Sequence, residues 1–102
     1  MDKNIIQDSI EEIKEITELF YQEKKDEAFG RLDKAIGNMM TVIDGLFSYK
    51  AANADFELDE EKLTNILKDA MNALQDGDVV LLADILQYDF LEYMQELKDN
   101  ME

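Results

Sequence analysis

The side chains in this chain that could do chemistry are nearly all carboxylates. Asp8, Glu11, Glu15 and Glu18 recur at spacings of three and four, which stacks them along one side of a helix. Paired carboxylates can hold a metal ion or share acid–base work. These form a ridge on the side opposite an apolar stripe, however, and no histidine joins them, so the pattern reads as a solvated face. A second set, Asn53, Asp55, Glu57, Asp59 and Glu61, alternates like the oxygen ligands of a calcium loop. Such a loop needs glycine at its sixth position and a bidentate glutamate at its twelfth. Counted from Asn53, those places hold Leu58 and Thr64.

The remaining catalytic equipment is missing. The chain has no histidine and no cysteine, so the commonest general base, thiol catalysis and the Glu-x-x-His motif of di-iron bundles are absent. Ser9 and Ser48 have no histidine to activate them, and no glycine-rich phosphate loop occurs. The expectation is therefore a protein that is not an enzyme and takes no cofactor. A carboxylate-only metal site is the least favoured reading.

The 102 residues carry 25 acids against 10 bases, a net charge of −15. That charge repels phosphate backbones and anionic bilayers and complements a basic protein segment. It predicts no nucleic-acid and no membrane partner. The start, Met1-Asp2-Lys3-Asn4, lacks a signal pattern, and no apolar run reaches spanning length. A cytoplasmic, bacterial protein is expected.

The elements that must position these side chains are helices. The chain contains no proline, and apolar residues recur at three and four throughout. Helices are predicted over about 3–22, 27–49, 60–75 and 79–101, within a single domain spanning 1–102. Ile6, Ile10, Ile13, Thr17 and Phe20 form the inner stripe of the first helix, with Ile16 at its edge. Asp2 is its expected cap, with Met1 stapled onto Ile6. Asp26 is expected to cap the second helix, in which Phe29, Leu32, Ile36, Met40, Ile43 and Phe47 share a face. Ala28, Ala35, Met39, Val42 and Leu46 widen that face on one flank. Phe56 and Leu58 should anchor the connection that follows. Asp59 should cap the third helix, Gly77 end it, and Asp78 cap the fourth. The fold class is all-α: a four-helix, up-down antiparallel bundle, or three long helices if the first two are fused.

The last helix stands apart because it is apolar on two sides. Val79, Leu82, Ala83, Leu86, Phe90, Tyr93, Leu97 and Met101 suit a core, while Leu81, Ile85 and Tyr88 fall opposite, with Val80 and Leu91 beside them. Either the helix is central and other helices, or the loop before Asp59, cover both sides, or the second side is an interface, as exposed apolar clusters commonly are. On the latter reading Leu81, Ile85, Tyr88 and Leu91 are the candidate partner-binding residues. The expected function is a non-enzymatic protein–protein interaction module, an acidic adaptor binding a helical or basic segment of a partner. The alternative is a self-associating structural or regulatory homodimer, with a second copy as partner.

The segment Leu63–Leu86, LTNILKDAMNALQDGDVVLLADIL, resembles the closing hairpin of the acidic helical bundles that guard flagellar export clients. It also looks like small acidic bacterial helical-bundle proteins of uncharacterised function. The resemblance spans about a quarter of the chain. It implies a chaperone-like role in which a client helix lies in a groove, with Leu81, Ile85 and Tyr88 as anchors.

Overall fold

A computed structural model describes residues 3–101, and within them every regular element is helical. Helix α1 runs Lys3–Tyr21, α2 runs Lys25–Ala52 and α3 runs Glu60–Gln75. The last stretch comprises α4 (Val79–Asp84), a π-helical segment (Ile85–Leu91) and α5 (Glu92–Asp99). Its junction residues Asp84, Ile85, Leu91 and Glu92 all keep right-handed helical backbone, so the three pieces form one unbroken rod. Four helical rods result. The first two are not fused, because Glu23 turns the chain with φ 61° between α1 and α2.

Local chemistry sets most of the boundaries. The Asp59 carboxylate accepts the Lys62 amide at 2.9 Å, and that of Asp78 accepts the Leu81 amide at 3.0 Å. Gly77 sits at φ 70°, the left-handed region that ends a helix most cheaply in glycine. At the start of α2 the expected cap fails. The helix begins one residue before Asp26, at Lys25, behind Lys24, which makes no side-chain cap bond. Asp26 and Glu27 lie in the first turn, where the helix dipole favours them. The expected Asp2 cap and Met1 staple fall outside the described residues.

The connection from α2 to α3 is pinned rather than loose. Lys50 Nζ donates to the carbonyls of Ala54 and Phe56, at 2.9 and 2.5 Å. Phe56 is buried and meets Tyr49 edge-on at 4.9 Å, while Leu58 is half-buried against the core. The Asp59 amide donates to Tyr93 Oη at 2.8 Å, which ties this connection to α5.

One continuous core joins all the rods. Helix α1 contributes Ile6, Ile10, Ile13, Ile16, Thr17 and Phe20, all buried, and turns Asp8, Glu11, Glu15 and Glu18 to solvent. Thr17 hides its hydroxyl by donating to the Lys14 carbonyl at 2.8 Å. Ser9, 5% exposed, has no such partner for its Oγ. A buried hydroxyl without a hydrogen bond costs about 1–3 kcal/mol, and alanine is the better helix former. Ser9→Ala is therefore expected to stabilise the protein by about 1 kcal/mol, read as a higher urea midpoint at unchanged m-value.

The packing is uneven. Helix α1 lies against α2 and against the whole last rod, and α3 lies against α4 and the π segment. Helices α2 and α3 nowhere bring their Cα atoms within 8 Å of each other. Packed helices stand about 8–10 Å apart axis to axis, so α2 and α3 flank an opening.

Candidate functional site

That opening is an apolar groove of about 520 Å³. Its α2 wall is Leu32, Ile36, Met39 and Met40. Its α3 wall is Leu67, Ala70, Met71 and Leu74, with Thr64 and Lys68 along the edge, and Leu82 and Leu86 of the last rod form the floor. Leu32, Met39, Leu82 and Leu86 are buried and fix the base, whereas Met40 and Met71 are 47% and 48% exposed on opposite walls. Methionine is flexible and polarizable, suited to a surface that adapts to what it meets.

The sequence of α2 explains why the groove exists. This helix is apolar over a wide arc, and only part of that arc is covered. Ala28, Ala35, Met39, Val42 and Leu46, expected only to widen the core face, are its centre, each at most 4% exposed. Of the expected core face, Leu32 and Ile43 are buried with them, whereas Phe29, Ile36, Met40 and Phe47 are left half-covered, with Phe29 at 39% and Phe47 at 36% exposed. Phe29 is partly shielded by Phe20, edge-on at 5.2 Å.

The residues singled out on the last rod separate. Leu81 and Tyr88 are exposed, at 47% and 56%, beside Val80 at 63%. Leu91 is half-buried, packed against the core. Ile85 is buried at 6%, which removes it from any outer face. Its amide still closes an α-type turn onto the Leu81 carbonyl, so Ile85 keeps its place on the α wheel and is buried because α3 packs over that flank. Beyond it the π segment, whose wider i→i+5 turns rotate each residue less than an α-helix does, shifts the residues that follow. Ile85 is buried on one flank, where α3 packs, and Met94, 0% exposed and absent from the expected stripe, is buried on the other.

Near Tyr88 the rod makes a polar contact with the end of α1. Tyr21 Oη donates to Asp84 Oδ1 at 2.5 Å. Partial desolvation, then the hydrogen bond to Asp84 and the charge of that carboxylate, push the Tyr21 phenol up to about 12. It stays protonated at neutral pH and is no nucleophile. Among the described residues no cluster of three or more acidic side chains is placed to hold a metal ion. The set from Asn53 to Glu61 is dispersed, with Asn53 closing α2 and Asp59 spent as the α3 cap. The one ion pair among the described residues, Arg31 with Glu15 at 2.6 Å, is at the surface and contributes little. No described helix is long and apolar enough to cross a membrane.

An acidic, all-helical domain with a Met-walled apolar groove is the class these features define. The chain belongs to the family described as a domain of unknown function (DUF8042), which matches residues 3–100. No curated protein and no solved structure matches it.

Proposed function

We propose that this protein is a non-enzymatic interaction module, an adaptor or chaperone-like protein, whose groove between α2 and α3 receives a helical segment of a partner protein. The observation that carries this reading is the pair of half-exposed methionines, Met40 and Met71, on the two walls of a largely apolar groove. Solvated groove walls would be polar, and exposed apolar surface of this kind commonly marks a binding site. The short polar links 22–24 and 76–78 support an up-down antiparallel order of the rods, in which α2 and α3 are sequence neighbours joined only by the long connection over one end.

The test is a comparison of two double variants as bait for partners from the native cell extract. Met40→Glu with Met71→Glu places two carboxylates where a partner would have to desolvate them. At several kcal/mol for each unpaired buried charge, recovery of the partner should fall at least 100-fold. Both side chains are half exposed, so the melting transition should hardly move. Leu81→Glu with Tyr88→Glu should leave recovery intact. The reverse pattern would move the docking face to the last rod. Exposed Val80, Leu81 and Tyr88 favour a second reading, an isologous dimer seam on that face. A mass in sedimentation that stays monomeric at every concentration removes it.

A further inference from the structure

We propose that the groove selects a cationic amphipathic helix from a partner protein and rejects a second copy of this chain; the inference rests on the docking role given to the groove above. Three features of the groove carry it.

The first is the poverty of hydrogen-bonding groups in its lining. Only Thr64 and Lys68 are polar there, and both lie along one edge. An extended peptide laid in the groove would lose water from its backbone amides and carbonyls without gaining partners, and each unmet group is costly. A helix satisfies its own backbone and presents only side chains. The second is length. The walls run over residues 32–40 and 64–74, about three helical turns or roughly 13–17 Å. That accommodates apolar anchors at i, i+3 or i+4, and i+7. Methionine walls accept anchors of differing shape, so the match is to the pattern more than to one sequence.

The third is the charge of the rim. On α2, Asp44 lies one turn beyond Met40, and Asp33 lies two turns before it. On α3, Glu60 and Glu61 lie one turn before Thr64. All four are exposed, none is in an ion pair among the described residues, and Lys68 is the single base on the edge. Lysines and arginines flanking an apolar stripe would meet these carboxylates. A second copy would bring a chain of charge −15 against another and set the acidic rims face to face.

The experiment titrates the full chain by calorimetry with three synthetic peptides of about 18 residues, five helical turns. One has leucines at i, i+3, i+4 and i+7 with lysines elsewhere. The second keeps the leucine stripe and replaces lysine by glutamate. The third is a scramble of the first, equal in charge but without a stripe. The lysine-flanked stripe is expected to bind at least 10-fold more tightly than either control and to weaken as salt is raised. Binding should fall at least 10-fold in Met40→Glu with Met71→Glu, although that variant is more negative and any merely electrostatic attraction would strengthen. Equal binding of the scramble overturns the proposal. If the glutamate-flanked stripe binds as well and is lost in the groove variant, the groove still docks helices but the cationic preference is wrong. If neither striped peptide responds to the groove variant, the docking role falls with it. A dimer in sedimentation that the groove variant dissociates makes a second copy the occupant and overturns the proposal.

Discussion

Phe90→Ala is expected to lower the stability of the protein by roughly 3–5 kcal/mol, the range for deleting a fully buried aromatic ring. Phe90 is 0% exposed and is among the largest fully buried side chains. It sits in the π segment, which packs against α1, α3 and both neighbouring parts of its own rod. No other large side chain on that rod stands ready to fill the void, because Leu86, Tyr93 and Met94 are already buried in their own contacts. The loss is a large share of the 5–15 kcal/mol typical of a whole domain. Equilibrium urea unfolding checks it: the midpoint should fall sharply while the m-value holds. Phe90→Leu, which keeps most of the volume, should cost much less. A loss below about 1 kcal/mol for the alanine variant would mean that this ring is not packed as described.

Much of this architecture could be read from short-range chemistry. Asp59, Gly77 and Asp78 act within one turn of themselves, through a side-chain oxygen or a left-handed φ, so their effects are visible in a few letters of sequence. The stripe Ile6–Phe20 on α1 was equally legible, since its reverse side is acidic and only one orientation buries it. Helix α2 was not legible in the same way. Both of its apolar rows could have been core, and a reading that weighs side-chain bulk gives the core to Phe29, Met40 and Phe47. Packing buries Leu32 and Ile43 together with Ala28, Ala35, Met39, Val42 and Leu46 and leaves the bulky Phe29, Met40 and Phe47 half-covered, an outcome set by the neighbouring helices and not by α2 alone. The groove follows from that outcome, which is why the sequence pointed to the last rod for an uncovered face. Leu81 and Tyr88 do lie exposed there, Tyr88 beside a polar hollow with Lys62, Asp89 and Glu92, whereas Met40 and Met71 line one apolar cleft. The π segment was hidden for a different reason. No glycine or proline marks residues 85–91, and a periodicity argument assumes the constant pitch that the segment breaks.

The sharpest contrast on the last rod is between two changes to glutamate one turn apart. Leu81→Glu should shift stability by no more than about 0.5 kcal/mol, as exposed substitutions usually do. Leu81 is 47% exposed and donates its amide to Asp78 from the third position of α4. Glutamate there suits the helix dipole and can complete a capping box, so the change is as apt to stabilise as to harm. Ile85→Glu should cost about 3 kcal/mol or more at neutral pH. It removes an apolar side chain that is 6% exposed, losing about 1.5–3 kcal/mol of burial, and it leaves a carboxylate to desolvate or protonate. Burial raises the folded-state pKa of such a glutamate above its unfolded value near 4.3. The folded form then holds its proton longer, so the variant is least impaired at acid pH and loses ground as pH rises through the raised pKa. Urea unfolding of both variants at pH 4 and at pH 7 reads the contrast. Leu81 and Ile85 lie one turn apart on the same flank, and only the cover that α3 gives Ile85 separates the two variants. A mild Ile85→Glu variant with no pH dependence would mean that α3 does not cover Ile85 and that the outer face is continuous after all.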